Sequence, residues 1–132
     1  MSRRELREQI FKLLFRVEFN SLEDMSEQEQ LFFESEDAAK EDEDAVYISD
    51  KYRKIQQKLS EIDSQLNDKT EGWDTTRMSK VDLTILRLAV YEINYDDSVP
   101  TGVAINEAVL LAKKFGQDAS SGFVNGILAK FA

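Results

Sequence analysis

The run PTGVAINEAVLLAKKFGQDASSGFVNGILAKF, Pro100 to Phe131, reads as helix, turn, helix. Proline suits the first turn of a helix and breaks its interior, so Pro100 fixes the start of the first one. Ala104, Ala108, Leu111, Ala112 and Phe115 then recur at steps of three and four, the spacing of one buried helical face. Gly116 is expected to end that helix as a left-handed cap. Ser120 or Ser121 is expected to cap the next helix by accepting a backbone N–H that has no intrahelical partner. Val124, Ile127, Leu128 and Phe131 form the second apolar stripe. Asn125-Gly126 sits inside that second helix, where glycine is about 1 kcal/mol less favourable than alanine. The expectation is that something must approach the helix closely at this point.

Upstream of this pair, Met78–Tyr95 reads as another helix. Ser79 is its expected N-cap, and Asp82 lies in the first turn at the favourable end of the helix dipole. Val81, Ile85, Leu88 and Ala89 form one stripe, and Leu86, Val90 and Ile93 another. A helix apolar on two sides belongs at the centre of a bundle. Asp96-Asp97-Ser98 turns the chain into Pro100. Residues 44–66 read as one long helix with a heptad-like seam of Ala45, Ile48, Tyr52, Ile55, Leu59, Ile62 and Leu66. Asn67–Thr76 is a polar connection anchored by Trp73, expected in the core or as a lid on it. Met1–Asn20 reads as the first helix, with Leu6, Ile10, Leu13, Leu14 and Val17 on one face, widened by Phe11 and Phe15. Between them, a short helix over residues 27–36 is expected to dock through Leu31, Phe32 and Phe33. The pattern predicts an all-α bundle of six or seven helices forming one domain over residues 1–132.

Composition narrows the chemistry. The chain of 132 residues has neither cysteine nor histidine, which removes thiolate, disulfide and imidazole chemistry. There is no glycine-rich phosphate loop and no nucleophile elbow. The acidic runs lack calcium-loop spacing, so no metal ligand and no cofactor is expected. No apolar run approaches the ~20 residues that a membrane span requires. A non-enzymatic cytoplasmic protein is the expectation. The net charge of −9 at first argues against nucleic acid. Its distribution argues otherwise. Residues 21–50 hold twelve Asp/Glu and one Lys, whereas residues 1–20 hold five Lys/Arg against three Asp/Glu, and the remainder balances. Arg3, Arg4 and Arg7 stand where the helix dipole is already positive, an arrangement that suits an anionic partner. The acidic segment reads as a solubilising face or as a surface for a basic protein.

Three runs carry a more specific signal: Val103-Ala104-Ile105-Asn106-Glu107-Ala108-Val109, then Leu111-Ala112-Lys113-Lys114-Phe115-Gly116, then Phe123-Val124-Asn125-Gly126-Ile127-Leu128. Together with Val81–Glu92 they resemble the NusB family of transcription antitermination factors. The arginine spacing at the N-terminus is similar to the RNA-gripping end of that family. The resemblance implies binding of the boxA element in nascent ribosomal RNA together with the ribosomal protein NusE. It also implies association with the RNA polymerase elongation complex through other Nus factors. It points to Asp82 and the area around Phe15 for the partner protein. Many relatives carry a basic residue where this chain has Gly122, so RNA affinity is the property that this departure touches.

On that reading Arg3, Arg4, Arg7, Lys113 and Lys114 neutralise phosphates. Phe123 either stacks a base or fills the core. Asn125 either reads a base edge or bonds between helices. Arg87 either reaches RNA or pairs with a carboxylate. Two alternatives stand beside it. One is an acidic helical adaptor that binds only proteins. The other is a relative of the RNA-binding domain of rRNA cytosine methyltransferases, against which the absence of a methyltransferase domain after Ala132 is set.

Overall fold

The structure, a computed structural model, describes all residues from Met1 to Ala132. It contains seven α-helices and no strand, as the periodicity predicts. The chain divides into two compact units, Met1–Gln56 and Gln57–Ala132.

In the first unit, α1 (Arg3–Phe15) begins with a reciprocal capping box. The Ser2 hydroxyl accepts from the Glu5 N–H at 3.1 Å, and the Glu5 carboxylate accepts from the Ser2 N–H at 3.0 Å. These bonds hold the Glu5 carboxyl below its ordinary pKa. The helix stops earlier than expected and tightens into a 3₁₀ turn over Arg16–Glu18. Ile10, Leu13 and Leu14 are buried. α2 (Met25–Glu34) packs on α1. Its anchors are Met25 and Phe32, whereas Leu31, expected to dock with its neighbours, is exposed. α2 is tied to α3 (Asp42–Gln57) by a buried carboxylate. Glu29 accepts from Arg53 Nη2 at 2.9 Å and from Ser49 Oγ at 3.0 Å. The Glu29 carboxylate raises the Arg53 pKa. Gln9 fastens the intervening segment to α1, donating to the Asp37 carbonyl at 2.8 Å and accepting from the Ala39 N–H at 3.1 Å.

The expected long helix over residues 44–66 is in fact two helices. α3 ends at Gln57 and α4 (Leu59–Lys69) begins after Lys58, whose φ of −106° and ψ of 3° leave the helical region. No proline or glycine marks the break, and the apolar spacing runs through it unchanged. Ile48, Tyr52 and Ile55 before it, and Ile62 and Leu66 after it, are all fully buried.

The second unit is built around α5 (Lys80–Tyr95), which packs on α4, α6 (Thr101–Phe115) and α7 (Ser120–Leu128). Ser79 caps α5 as expected, accepting from the Asp82 N–H at 3.1 Å. Ile85, Leu86, Leu88, Ala89 and Val90 are at most 1% exposed, so both stripes of α5 are covered. Pro100 starts α6, its carbonyl accepting from the Ala104 N–H at 3.0 Å.

Two expectations about the α6–α7 turn are corrected. Gly116 is not a left-handed cap: its φ is −90° and its ψ is −171°. A Cβ there would lie 2.5 Å from the Cβ and the Oγ of Ser120, so glycine is required by closeness and not by backbone sign. Neither serine is the N-cap of α7. Ala119 holds that position, and the Ser120 hydroxyl instead accepts from the Gln117 N–H at 2.9 Å, closing the turn.

Candidate nucleic-acid interface

The face of α6 opposite its buried alanines carries Gly102, Asn106, Val109 and Lys113, spaced four, three and four residues apart. α7 sets Ser121, Gly122 and Asn125 beside them. The result is an open groove of about 500 Å³ between the two helices. Asn106, Lys113 and Asn125 are all exposed. Asn125, whose alternatives were a base edge or an interhelix bond, is thus part of an accessible wall. Two carboxamides, a hydroxyl and an ammonium line one trough. Carboxamides offer both donors and acceptors, the pattern needed for base edges, and the ammonium suits a phosphate. Asn106 and Ser121 were missed in the sequence. Asn106 was legible in principle, because its step of seven to Lys113 puts both on one helical face.

On the other side of α7 lies a second hollow of about 340 Å³. Phe123 lies against it, half-buried, its ring edge-to-face with Trp73 at 5.7 Å between centroids. Trp73 is no core residue: it is 49% exposed and lies over Phe123. Gly126 was expected to admit a close approach to the helix, and no part of the protein itself makes one. A Cβ there would meet nothing within 4 Å, and Gly122 is equally open. Both glycines instead lower the surface of α7 where it borders this hollow.

The remaining candidates separate. Lys114 is exposed and its ammonium lies 5.4 Å from the Phe115 ring centre. Arg87 is held by Asp63 in a two-pronged ion pair of 2.9 and 2.8 Å, the carboxylate alternative of its reading. At the N-terminus of α1, Arg3 and Arg4 are exposed, while Arg7 is only 8% exposed. Phe15 is half-buried and belongs to an aromatic ladder, 6.2 Å from Phe11 and 5.2 Å from Phe19. Phe19, which the sequence did not single out, is its exposed end. Asp82 is 9% exposed, and its Oδ1 is buried without a hydrogen-bond partner. A carboxylate oxygen in that state is costly unless an incoming donor satisfies it. No group of three or more acidic side chains is placed to hold a metal ion, and no helix is long and apolar enough to cross a membrane.

The family model described as the NusB family matches residues 4–132, and therefore spans both units. The chain belongs to the NusB family. Its NusB relatives include the transcription antitermination protein NusB of Agathobacter rectalis, 51% identical over 132 residues and aligned over the whole of both chains. Among solved NusB structures, that of T. maritima superposes with a TM-score of 0.86 at 36% identity, covering 100% of this chain and 91% of that one. A structure of the antitermination factors NusB and NusE in complex with double-stranded RNA gives 0.84 at 25% identity, over 98% of this chain and 94% of that one. The NusB-like runs quoted from the sequence fall on α5, α6 and α7, and the last two of these helices build the groove.

Proposed function

We propose that this chain acts as one NusB-like domain, a non-catalytic transcription antitermination factor of the cytoplasm. It binds boxA-type single-stranded RNA in nascent ribosomal transcripts together with ribosomal protein NusE. Through other Nus factors it joins the RNA polymerase elongation complex. The observation that carries this reading is the α6–α7 groove, where Asn106, Asn125 and Lys113 converge on the family's own sequence run. The full-length identity of 51% to a protein named for antitermination supports it. In this reading Lys113, Lys114, Arg3, Arg4 and Arg7 contribute phosphate contacts, Asn125 reads a base edge and Phe123 supplies a stacking face. Arg87 contributes indirectly, by holding α5 to α4. NusE engages Asp82 and the Phe15 ladder.

The test is a binding titration of boxA-type RNA against a scrambled strand of equal length, with and without NusE. Preference for boxA-type RNA, strengthened by NusE, is the expected result. Equal binding of both strands in the presence of NusE would leave a protein-only adaptor in its place.

A further inference from the structure

The hollow beside α7 has features that the groove alone does not explain. Trp73 lies in a loop of otherwise polar residues and presents a large, amphipathic ring to solvent. The loop is pinned in place. Thr70 is buried and its hydroxyl bonds to the Leu66 carbonyl at 2.8 Å and to the Trp73 carbonyl. The Thr75 N–H donates to Asn67 Oδ1 at 2.8 Å. Gly72, at a φ of 78°, makes the turn that a side chain would strain. A ring held exposed on an ordered loop is a prepared contact surface, because little ordering entropy is left to lose on binding.

Charge and shape point to one occupant. The Arg77 guanidinium lies 5.4 Å from the Trp73 ring centre and donates to the Gly72 carbonyl at 2.9 Å. Lys130 itself lines the hollow, and its ammonium donates to the Lys69 carbonyl at 3.0 Å. A carbonyl partner fixes Lys130 without neutralising it, whereas Arg77 also acts on the neighbouring Asp74 carboxylate and Glu71 adds one acidic group to the lining of the hollow. Aromatic walls beside cations suit a base together with its phosphate. Gly122 lines both the hollow and the α6–α7 groove, so the two are continuous across a point with no side chain.

We propose that the Trp73–Phe123 hollow is a second base subsite for single-stranded RNA, joined to the α6–α7 groove over Gly122, with Arg77 and Lys130 as its phosphate contacts. It rests on the RNA reading above and extends it by one nucleotide-binding position and three residues.

Trp73 is the only tryptophan in the chain, so its emission reports on this hollow alone. The full-length protein is titrated with boxA-type RNA, following both Trp73 emission and the anisotropy of labelled RNA. Emission is expected to change with the same midpoint as anisotropy. Trp73→Ala should weaken binding about tenfold with little change in salt dependence, and Trp73→Phe should stay within about twofold of the parent. Lys130→Ala should instead flatten the salt dependence by about 0.7 in the log–log slope. Binding seen by anisotropy with silent Trp73 emission and an unaffected Trp73→Ala variant overturns the subsite while leaving the groove intact. Absence of any RNA binding overturns both. If Trp73→Ala fails to fold, the emission of the parent protein still decides.

Discussion

Arg87 on α5 and Asp63 on α4 face each other as a planar fork, Nε to Oδ1 at 2.9 Å and Nη2 to Oδ2 at 2.8 Å. The guanidinium side chain is 12% exposed and the carboxylate 26%. Two parallel charge-assisted bonds in a half-dry setting are stronger than a surface pair and more geometrically demanding. The pair fixes how α4 lies on α5. Arg87→Ala should cost about 1–3 kcal/mol of stability, because it leaves Asp63 without its partner. Asp63→Ala should cost a similar amount, and the double variant little more than either. Thermal or denaturant unfolding of the three variants checks this. Additive losses would mean that the pair does not act as a unit.

The glycines of the α6–α7 pair should respond in opposite directions. Gly116→Ala drives a Cβ into Ser120 and should cost about 1–3 kcal/mol. Gly126→Ala meets open space inside a helix and should raise stability by up to about 1 kcal/mol. Paired melting curves decide the matter. Loss of stability in Gly126→Ala would show a constraint other than space.

Arg4 and Arg7 share a helix end but not an environment. Arg4→Ala, at an exposed position, should shift melting less than Arg7→Ala and lower the salt slope of RNA binding by about 0.7. Arg7→Ala, at a position only 8% exposed, should lower the melting temperature as well. Measuring both properties on both variants separates a phosphate contact from a packing role.

Asp82 combines burial with an unpartnered oxygen. Asp82→Asn keeps the side-chain volume and removes the charge. It should weaken NusE binding by about 2 kcal/mol or more if a basic group of NusE satisfies that oxygen, with folding preserved. Calorimetry against NusE, beside a melting curve, gives the answer. Unchanged affinity removes Asp82 from the partner surface.

Tyr52 provides a test of the first unit under alkaline conditions. Burial, and then the nearby Glu29 carboxylate, push its phenol up to about 12. The folded chain therefore holds a proton that the unfolded chain releases near pH 10. Stability from this group is complete below about pH 10 and falls as pH rises to 12, by about 2–3 kcal/mol. Its hydroxyl has no hydrogen-bond partner, so Tyr52→Phe should be neutral or stabilising at pH 7 and should shallow the alkaline loss. Unfolding curves of parent and variant across that range check both statements.

Much of the architecture was legible because helix periodicity and local stop signals are properties of adjacent residues. The two-sided stripe of residues 81–93 announced the centre of the second unit, and Ser79 and Pro100 announced two helix starts. The break at Lys58 was not legible. It carries no glycine or proline, and the apolar seam continues across it, so spacing alone reads one helix. Gly116 was identified as a stop for the wrong reason, since glycine in a sequence does not say whether it serves a positive φ or a close neighbour. Only the packing of Ser120 against it decides that.

The same division holds for the candidate site. The resemblance carried by the α6–α7 run named Lys113, Phe123 and Asn125 as candidates, and the structure places Lys113 and Asn125 on one groove. That Asn125 of α7 lies beside Asn106 of α6, that Arg87 is engaged by Asp63, and that Trp73 stands exposed over Phe123 instead of in the core are facts of tertiary structure. Each depends on a side chain from another element, and no spacing within one helix or loop encodes what that element brings to meet it.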